Sequence, residues 1–199
     1  MSTKARILDA AGEIMLSKSF HSVGLNEILA AVRVPKGSFY HYFESKEQFG
    51  AELLRHYVDS HSARLRLYLI ESVELLPLER LTTFFHGMVG RLLEEKCRQF
   101  CLVAKLGAEV STFSEPMREV LADGMKDWRK IFEELLREGQ AKGDIRAELE
   151  PVATSALIQD LWQGAMHRTQ IERDVTAARQ TVVFLQAYLS SASADSQKK

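Results

Sequence analysis

The sequence predicts an all-α protein in which a three-helix, helix-turn-helix N-terminal domain precedes a larger helical one. Apolar residues recur at the ~3.6-residue spacing of a helix through most of the chain. Only 4 prolines and 11 glycines interrupt 199 residues, which favours long helices over many short strands. There is no internal repeat, and no alternating apolar–polar run extends beyond a few residues.

The first helix begins at Thr3, with Ile7, Ala11, Ile14 and Met15 on one face and Arg6, Asp9 and Glu13 on the other. After the break Ser19–Gly24, a short helix fits Asn26 to Val32, with Asn26 near its cap. Val34-Pro35 reads as a tight turn, because proline fixes its own φ and restrains the residue before it. A second short helix runs from Lys36 to Phe43, and Ser45 with Gln48 has capping-box spacing for the next. That helix is predicted to run unbroken from Lys46 to Ile70. Further helices are expected from Leu78 to Lys96, Phe100 to Val110, Glu115 to the Gly143-Asp144 stop, Glu150 to Ile171, and Val175 to Ser190. The small polar tail from Ser191 to Lys199 is expected to fray.

Two short helices joined by a tight turn and braced by a longer one are what a major-groove reader needs. Gly37 permits close approach to a phosphate, and Lys36 and Lys46 supply cations. Ser38, Tyr40, His41 and Tyr42 supply hydrogen-bonding groups, while Phe39 and Phe43, four apart, read as core. The formal net charge of the chain is −1, so a DNA site must be a local patch. Residues 33–46 form one, with Arg33, Lys36 and Lys46 against Glu44 alone.

The run from Gly24-Leu25-Asn26-Glu27-Ile28 through Phe43-Glu44-Ser45-Lys46-Glu47 resembles the DNA-binding signature of the TetR family of transcriptional repressors. The resemblance covers roughly residues 3 to 60. It implies a DNA-binding domain over 1–46, with a linking helix from about 46, and a divergent effector-binding and dimerisation domain over 47–199. It places Lys36, Gly37, Ser38, Tyr40 and Tyr42 on the recognition helix, and carries Lys46 to a phosphate. Asn26 stands where the family usually has threonine at a backbone-phosphate contact.

Cys101-Leu102-Val103-Ala104-Lys105-Leu106-Gly107-Ala108-Glu109-Val110, followed by Ser114-Glu115-Pro116, resembles the NemR-type subgroup. That resemblance implies sensing of electrophiles or oxidants at Cys101, whose modification releases DNA. Two departures stand out: the subgroup's sensing lysine falls on Gln170, and its second cysteine on Ser111. On the residues alone two readings of Cys101 remain. It is a thiolate sensor near a helix start, with Lys96, Arg98 and Lys105 nearby and Cys97 as resolving thiol, or it is a small buried hydrophobe.

Phe85, Met88, Trp128, Trp162, Met166 and Gln170 are candidate effector-site residues, with Phe84, Phe132 and His167 as further wall candidates. Apolar stripes mark the last two helices as dimer candidates: Val152, Ala156, Leu157, Leu161 and Gly164-Ala165, then Ala178, Val182, Leu185, Gln186 and Leu189. A two-fold homodimer would read a pseudo-palindromic operator in double-stranded DNA.

Composition narrows the alternatives. Two cysteines are too few for a disulfide framework, which points to a reducing, cytoplasmic setting. No run approaches the ~18 apolar residues of a membrane span. No cofactor motif or metal-ligand spacing is present. An enzyme is not expected; the rival is a thiol-dependent redox enzyme using Cys101, for which no base or stabilising partner is recognisable.

Overall fold

The computed structural model describes residues 2–97 and 101–191. Among these the chain forms nine α-helices and no strand; its β-type pairing is an isolated bridge between Ile145 and Ser190. It divides into two compact units, Met1–His61 with Phe100–Met125, and Ser62–Gln99 with Lys126–Lys199.

In the first unit, α1 (Thr3–Met15) is capped by Ser2, whose Oγ accepts the Ala5 amide at 3.2 Å. Its Ile7, Leu8, Ala11 and Met15 are buried, as are Ile28, Leu29 and Val32 of α2 (Leu25–Val32). The Arg6 guanidinium donates to the Val32 carbonyl at 2.9 Å, tying α1 to the end of α2. The cap of α2 is Gly24, in extended conformation, so Asn26 lies one residue inside the helix rather than at its boundary. After α3 (Lys36–Tyr42), Ser45 Oγ accepts the Gln48 amide at 3.0 Å and the Gln48 side chain accepts the Glu44 amide at 2.6 Å. That reciprocal pair fixes the start of α4 (Lys46–Arg66), as its spacing predicts.

Two close approaches complete this unit. An added Cβ at Gly50 would lie 2.7 Å from the Phe20 ring and 2.8 Å from Met117 Cε. One at Gly124 would lie 2.6 Å from Val58 Cγ1. Here glycine lets α4 meet α7 (Glu115–Lys142), and lets the loop after α1 meet α4, at backbone distance.

In the second unit the long helix differs from expectation. Its α-helical hydrogen bonding stops at Arg66 and the chain continues as a π-helical turn, Leu67–Glu71. The end of this turn is met by Arg80 of α5 (Pro77–Glu94), whose side chain is 2% exposed: its Nη1 donates to the carbonyls of Leu69 at 2.7 Å and Ile70 at 3.2 Å. A buried guanidinium thus satisfies carbonyls that a helix end leaves unpaired. Its Nη2 lies 2.5 Å from Glu138 Oε1, close enough for an ion pair though not aligned as a hydrogen bond.

α5 begins with Pro77 as its first residue and stops short of Lys96, because Lys96 and Cys97 both adopt left-handed conformations. The start expected at Phe100 lies outside the described residues, as do Arg98 and the tail beyond Ser191. α7 ends where predicted, at Gly143 with φ +79°. α8 (Pro151–Glu172) is capped by the Glu150 carboxylate, and α9 (Thr176–Leu189) packs along it.

Candidate DNA interface and sensor helix

Aromatic packing ties α3 to the start of α4. Phe39, Phe43 and Phe49 form a closed set with ring centroids 4.9, 5.3 and 5.0 Å apart, and all three are buried. Each such side chain contributes about 1.5–3 kcal/mol by leaving water. Anchoring Phe39 at 2% exposure turns the opposite face of α3 outward, and Tyr40 is 60% exposed. Lys36, Gly37 and His41 are exposed with it, Ser38 and Tyr42 are half-buried, and Asn26 is exposed on α2. The structure therefore brings seven of the eight sequence-predicted DNA residues onto the two short helices.

Lys46, the eighth, is exposed but occupied. Its Nζ donates to the carbonyls of His21 at 3.3 Å and Val23 at 3.1 Å, and sits 5.2 Å over the Phe20 ring. Two of its three donors therefore fasten the α1–α2 loop.

The same loop is gripped from a distant part of the sequence. α6 (Leu102–Val110) begins just after Cys101, which is its half-buried N-cap residue; the Lys105 amide donates to the Cys101 carbonyl at 3.0 Å. Near the other end of α6, Glu109 accepts the amides of Phe20 and His21, each at 3.1 Å, and lies 3.1 Å from His21 Nδ1. The Phe113 ring stands 4.2 Å from the His21 ring. Ser114 then donates to Glu47 of α4 at 2.7 Å. Burial alone would raise the Glu109 carboxyl, but the Phe20 and His21 hydrogen bonds hold it below its ordinary range. Burial lowers Lys105, against the raising effect of Glu109.

Glu109, Phe113, Ser114 and Glu47 escape sequence reasoning, because periodicity reports which face is buried and not what it meets. The cysteines are both thiols, Cys97 buried and Cys101 half-buried. Cys97 belongs to the second unit and Cys101 to the first.

The remaining predicted effector residues, Phe85, Met88, Trp128, Trp162, Met166 and Gln170, all belong to the second unit. Phe85 meets Trp162 at 4.4 Å and Phe132 at 6.2 Å, and Trp128 Nε1 donates to Ser62 at 2.9 Å. Phe85, Trp128 and Met166 are buried, while Met88, Trp162 and Gln170 are half-buried. Open grooves of this unit lie elsewhere, one of about 730 Å³ along Arg146–Glu148 and Val183–Ser191.

The dimer stripe expected on α9 requires correction. Ala178, Val182, Leu185 and Leu189 are buried within the chain's own second unit, whereas Val183 (64% exposed) and Phe184 (49%) face outward, with Val152 and Ile171 on α8. A stripe of apolar residues identifies a buried face, and here that face packs on the same chain.

Among the described residues no helix is long and apolar enough to cross a membrane, and no cluster of three or more metal-ligating side chains occurs.

Comparison with known proteins adds a lineage to this geometry. Residues 7–53 match the family described as bacterial regulatory proteins, tetR family, and residues 77–185 match the tetracyclin repressor-like C-terminal domain. The chain is 36% identical to the transcriptional regulator AcuR of Cereibacter sphaeroides, over 83% of this chain and 75% of that one. It is 31% identical to the transcriptional repressor NemR of Escherichia coli, over 86% and 85% respectively. The crystal structure of reduced E. coli NemR superimposes with a TM-score of 0.89 at 28% identity, covering 95% of this chain and 97% of that one.

Proposed function

Because the chain belongs to the TetR family of transcriptional repressors, we propose that it grips a pseudo-palindromic operator as a homodimer and releases it when the helix headed by Cys101 is disturbed. The relatives are regulators rather than enzymes, and the thiol-enzyme alternative falls with that.

In this reading α3 enters the major groove, with Lys36, Gly37, Ser38, Tyr40, His41 and Tyr42 toward bases and phosphates, and Asn26 and Lys46 flanking. Support for a second copy comes from Val152, Ile171, Val183 and Phe184, apolar side chains left exposed on α8 and α9. Two-fold pairing through these helices sets the spacing of two α3 helices along the duplex.

The observation that carries the release mechanism is the path along α6. Cys101 heads the helix and Glu109, two turns on, holds the amides of the α1–α2 loop. A helix N-terminus favours an anionic thiolate, the form that attacks an electrophile. In this reading an adduct at the half-buried Cys101 displaces α6 and so withdraws Glu109 and Phe113 from the loop that precedes α2. The modification acts only through its different free energy in the DNA-competent and released conformations.

Titrating the protein into labelled DNA from upstream of its own gene, with and without N-ethylmaleimide, tests this. Loss of sequence-dependent binding that Cys101→Ser resists supports the cysteine switch. Undiminished binding after full labelling of Cys101 eliminates it.

A further inference from the structure

Four non-glycine residues of the described chain adopt left-handed backbone conformations, among them Arg33 (φ +56°) and Arg173 (φ +55°). Both cap the C-terminal end of a helix, where glycine or asparagine fits with less strain. At Arg173 the side chain accounts for the arginine, since its Nη1 donates to the Cys97 carbonyl at 2.7 Å. Arg33 has no such account: its side chain is exposed and makes no hydrogen bond, ion pair or ring contact. The conformation itself is fixed by the turn, through the amides of Arg33 and Val34 bonded to the carbonyls of Ala30 and Leu29 and through Pro35 following.

The neighbouring cations sharpen the contrast. Lys4 is paired with Glu52, Arg6 with the Val32 carbonyl, Lys18 with Glu27, and Lys46 with the carbonyls of His21 and Val23. Between Ser2 and Lys46, only Arg33 and Lys36 carry cationic side chains that nothing in the fold engages. They stand three residues apart, on either side of Pro35, where the chain turns into α3.

We propose that Arg33 is a DNA-phosphate ligand that, with Lys36, fixes the register of the recognition helix. The inference rests on the reading that α3 enters the major groove. An exposed guanidinium at the turn presents a planar pair of donors suited to a phosphate. Such a contact positions the protein without reading sequence. An arginine held at a position that prefers glycine is an outlier of the kind that accompanies function.

The test uses the full-length protein and two labelled duplexes of equal length, one enriched by the wild-type protein from a random-sequence pool and one unrelated. Arg33→Gln keeps the strained backbone and removes the charge; Arg33→Gly removes both; Arg33→Lys keeps the charge. Expected are several-fold weaker binding of both duplexes by the Gln and Gly variants, and a salt dependence flatter by about one unit per half-site. The Lys variant retains the wild-type slope, and the Gly variant melts higher than wild type, which removes misfolding as the cause. If the Gln and Gly variants keep affinity and slope while Lys36→Ala and Tyr40→Ala lose them, Arg33 is no ligand and the helix-turn-helix reading stands. If all four bind like wild type, that reading falls and takes this one with it.

Discussion

The Glu109 carboxylate accepts the backbone amide of His21 at 3.1 Å across 88 residues of sequence. Its other oxygen takes the amide of Phe20, so one side chain on α6 satisfies two successive donors in the loop that leads into α2.

Replacing Glu109 with alanine leaves those two amides without their acceptor. The expected cost is about 1–2 kcal/mol, moderated because the carboxylate is partly open to water. Chemical denaturation followed by tryptophan fluorescence measures it, and Glu109→Gln, which keeps one acceptor oxygen, should lose less. DNA affinity should fall in the alanine variant more than in the glutamine one.

The same contact predicts a pH dependence. The Glu109 carboxyl is held below its ordinary value of 4.5 in the folded chain. A depressed carboxylate stabilises the fold above its unfolded-state pKa, and that contribution disappears as pH falls through the folded value. The melting difference between wild type and Glu109→Gln should be full near neutrality and shrink as pH falls below 4.5 through the depressed folded-state value.

Adjacent residues of α3 should separate stability from binding. Phe39→Ala removes a ring packed against Phe43 and Phe49 and should cost about 3–5 kcal/mol. Tyr40→Ala, on the exposed face, should change stability by no more than about 0.5 kcal/mol while weakening operator binding. If Tyr40→Ala and Lys36→Ala both bind DNA like wild type, α3 is removed from the interface.

Gly124→Ala places a Cβ against both methyls of Val58, at 2.6 and 2.7 Å. Valine is stiff at χ1, so the clash should cost about 1–3 kcal/mol despite the better helix propensity of alanine. Gly50→Ala should cost a similar amount, since the added Cβ lies 2.7 Å from two atoms of the buried Phe20 ring and the flexible end of Met117, at 2.8 Å, relieves only part of the clash. Thermal melts of the two variants measure both costs.

Arg80→Ala should destabilise the second unit by about 3 kcal/mol, because it strips the Leu69 and Ile70 carbonyls of their buried donor and leaves Glu138 with Lys142 as its remaining cation. Hydrogen exchange should show the turn Leu67–Glu71 losing protection first.

The helix-turn-helix was legible because it is local. Its turn is written in Val34-Pro35, its core in Phe39 and Phe43, and its next cap in Ser45 and Gln48, all within fifteen residues. The exposed set on α3 follows from that spacing alone. The π-helical turn after Arg66 was not legible, because its closing carbonyls are satisfied by a guanidinium from α5 and nothing in the pattern of Leu67-Tyr68-Leu69-Ile70-Glu71 reports that. The α9 stripe was read correctly as apolar and assigned to the wrong neighbour, since a helical period carries no address for the surface it covers.

By itself the sequence determined most of the helix boundaries, the helix-turn-helix and the family, all of which rest on residues a few positions apart. Only the tertiary structure decided that Lys46 turns two donors onto loop carbonyls, that the Arg33 and Lys36 side chains meet no partner among the described residues, and that Glu109 and Phe113 of the α6 region hold the loop before α2. Those outcomes depend on which carbonyl, amide or ring comes within hydrogen-bonding or contact distance once the chain folds, and no local pattern encodes that distance.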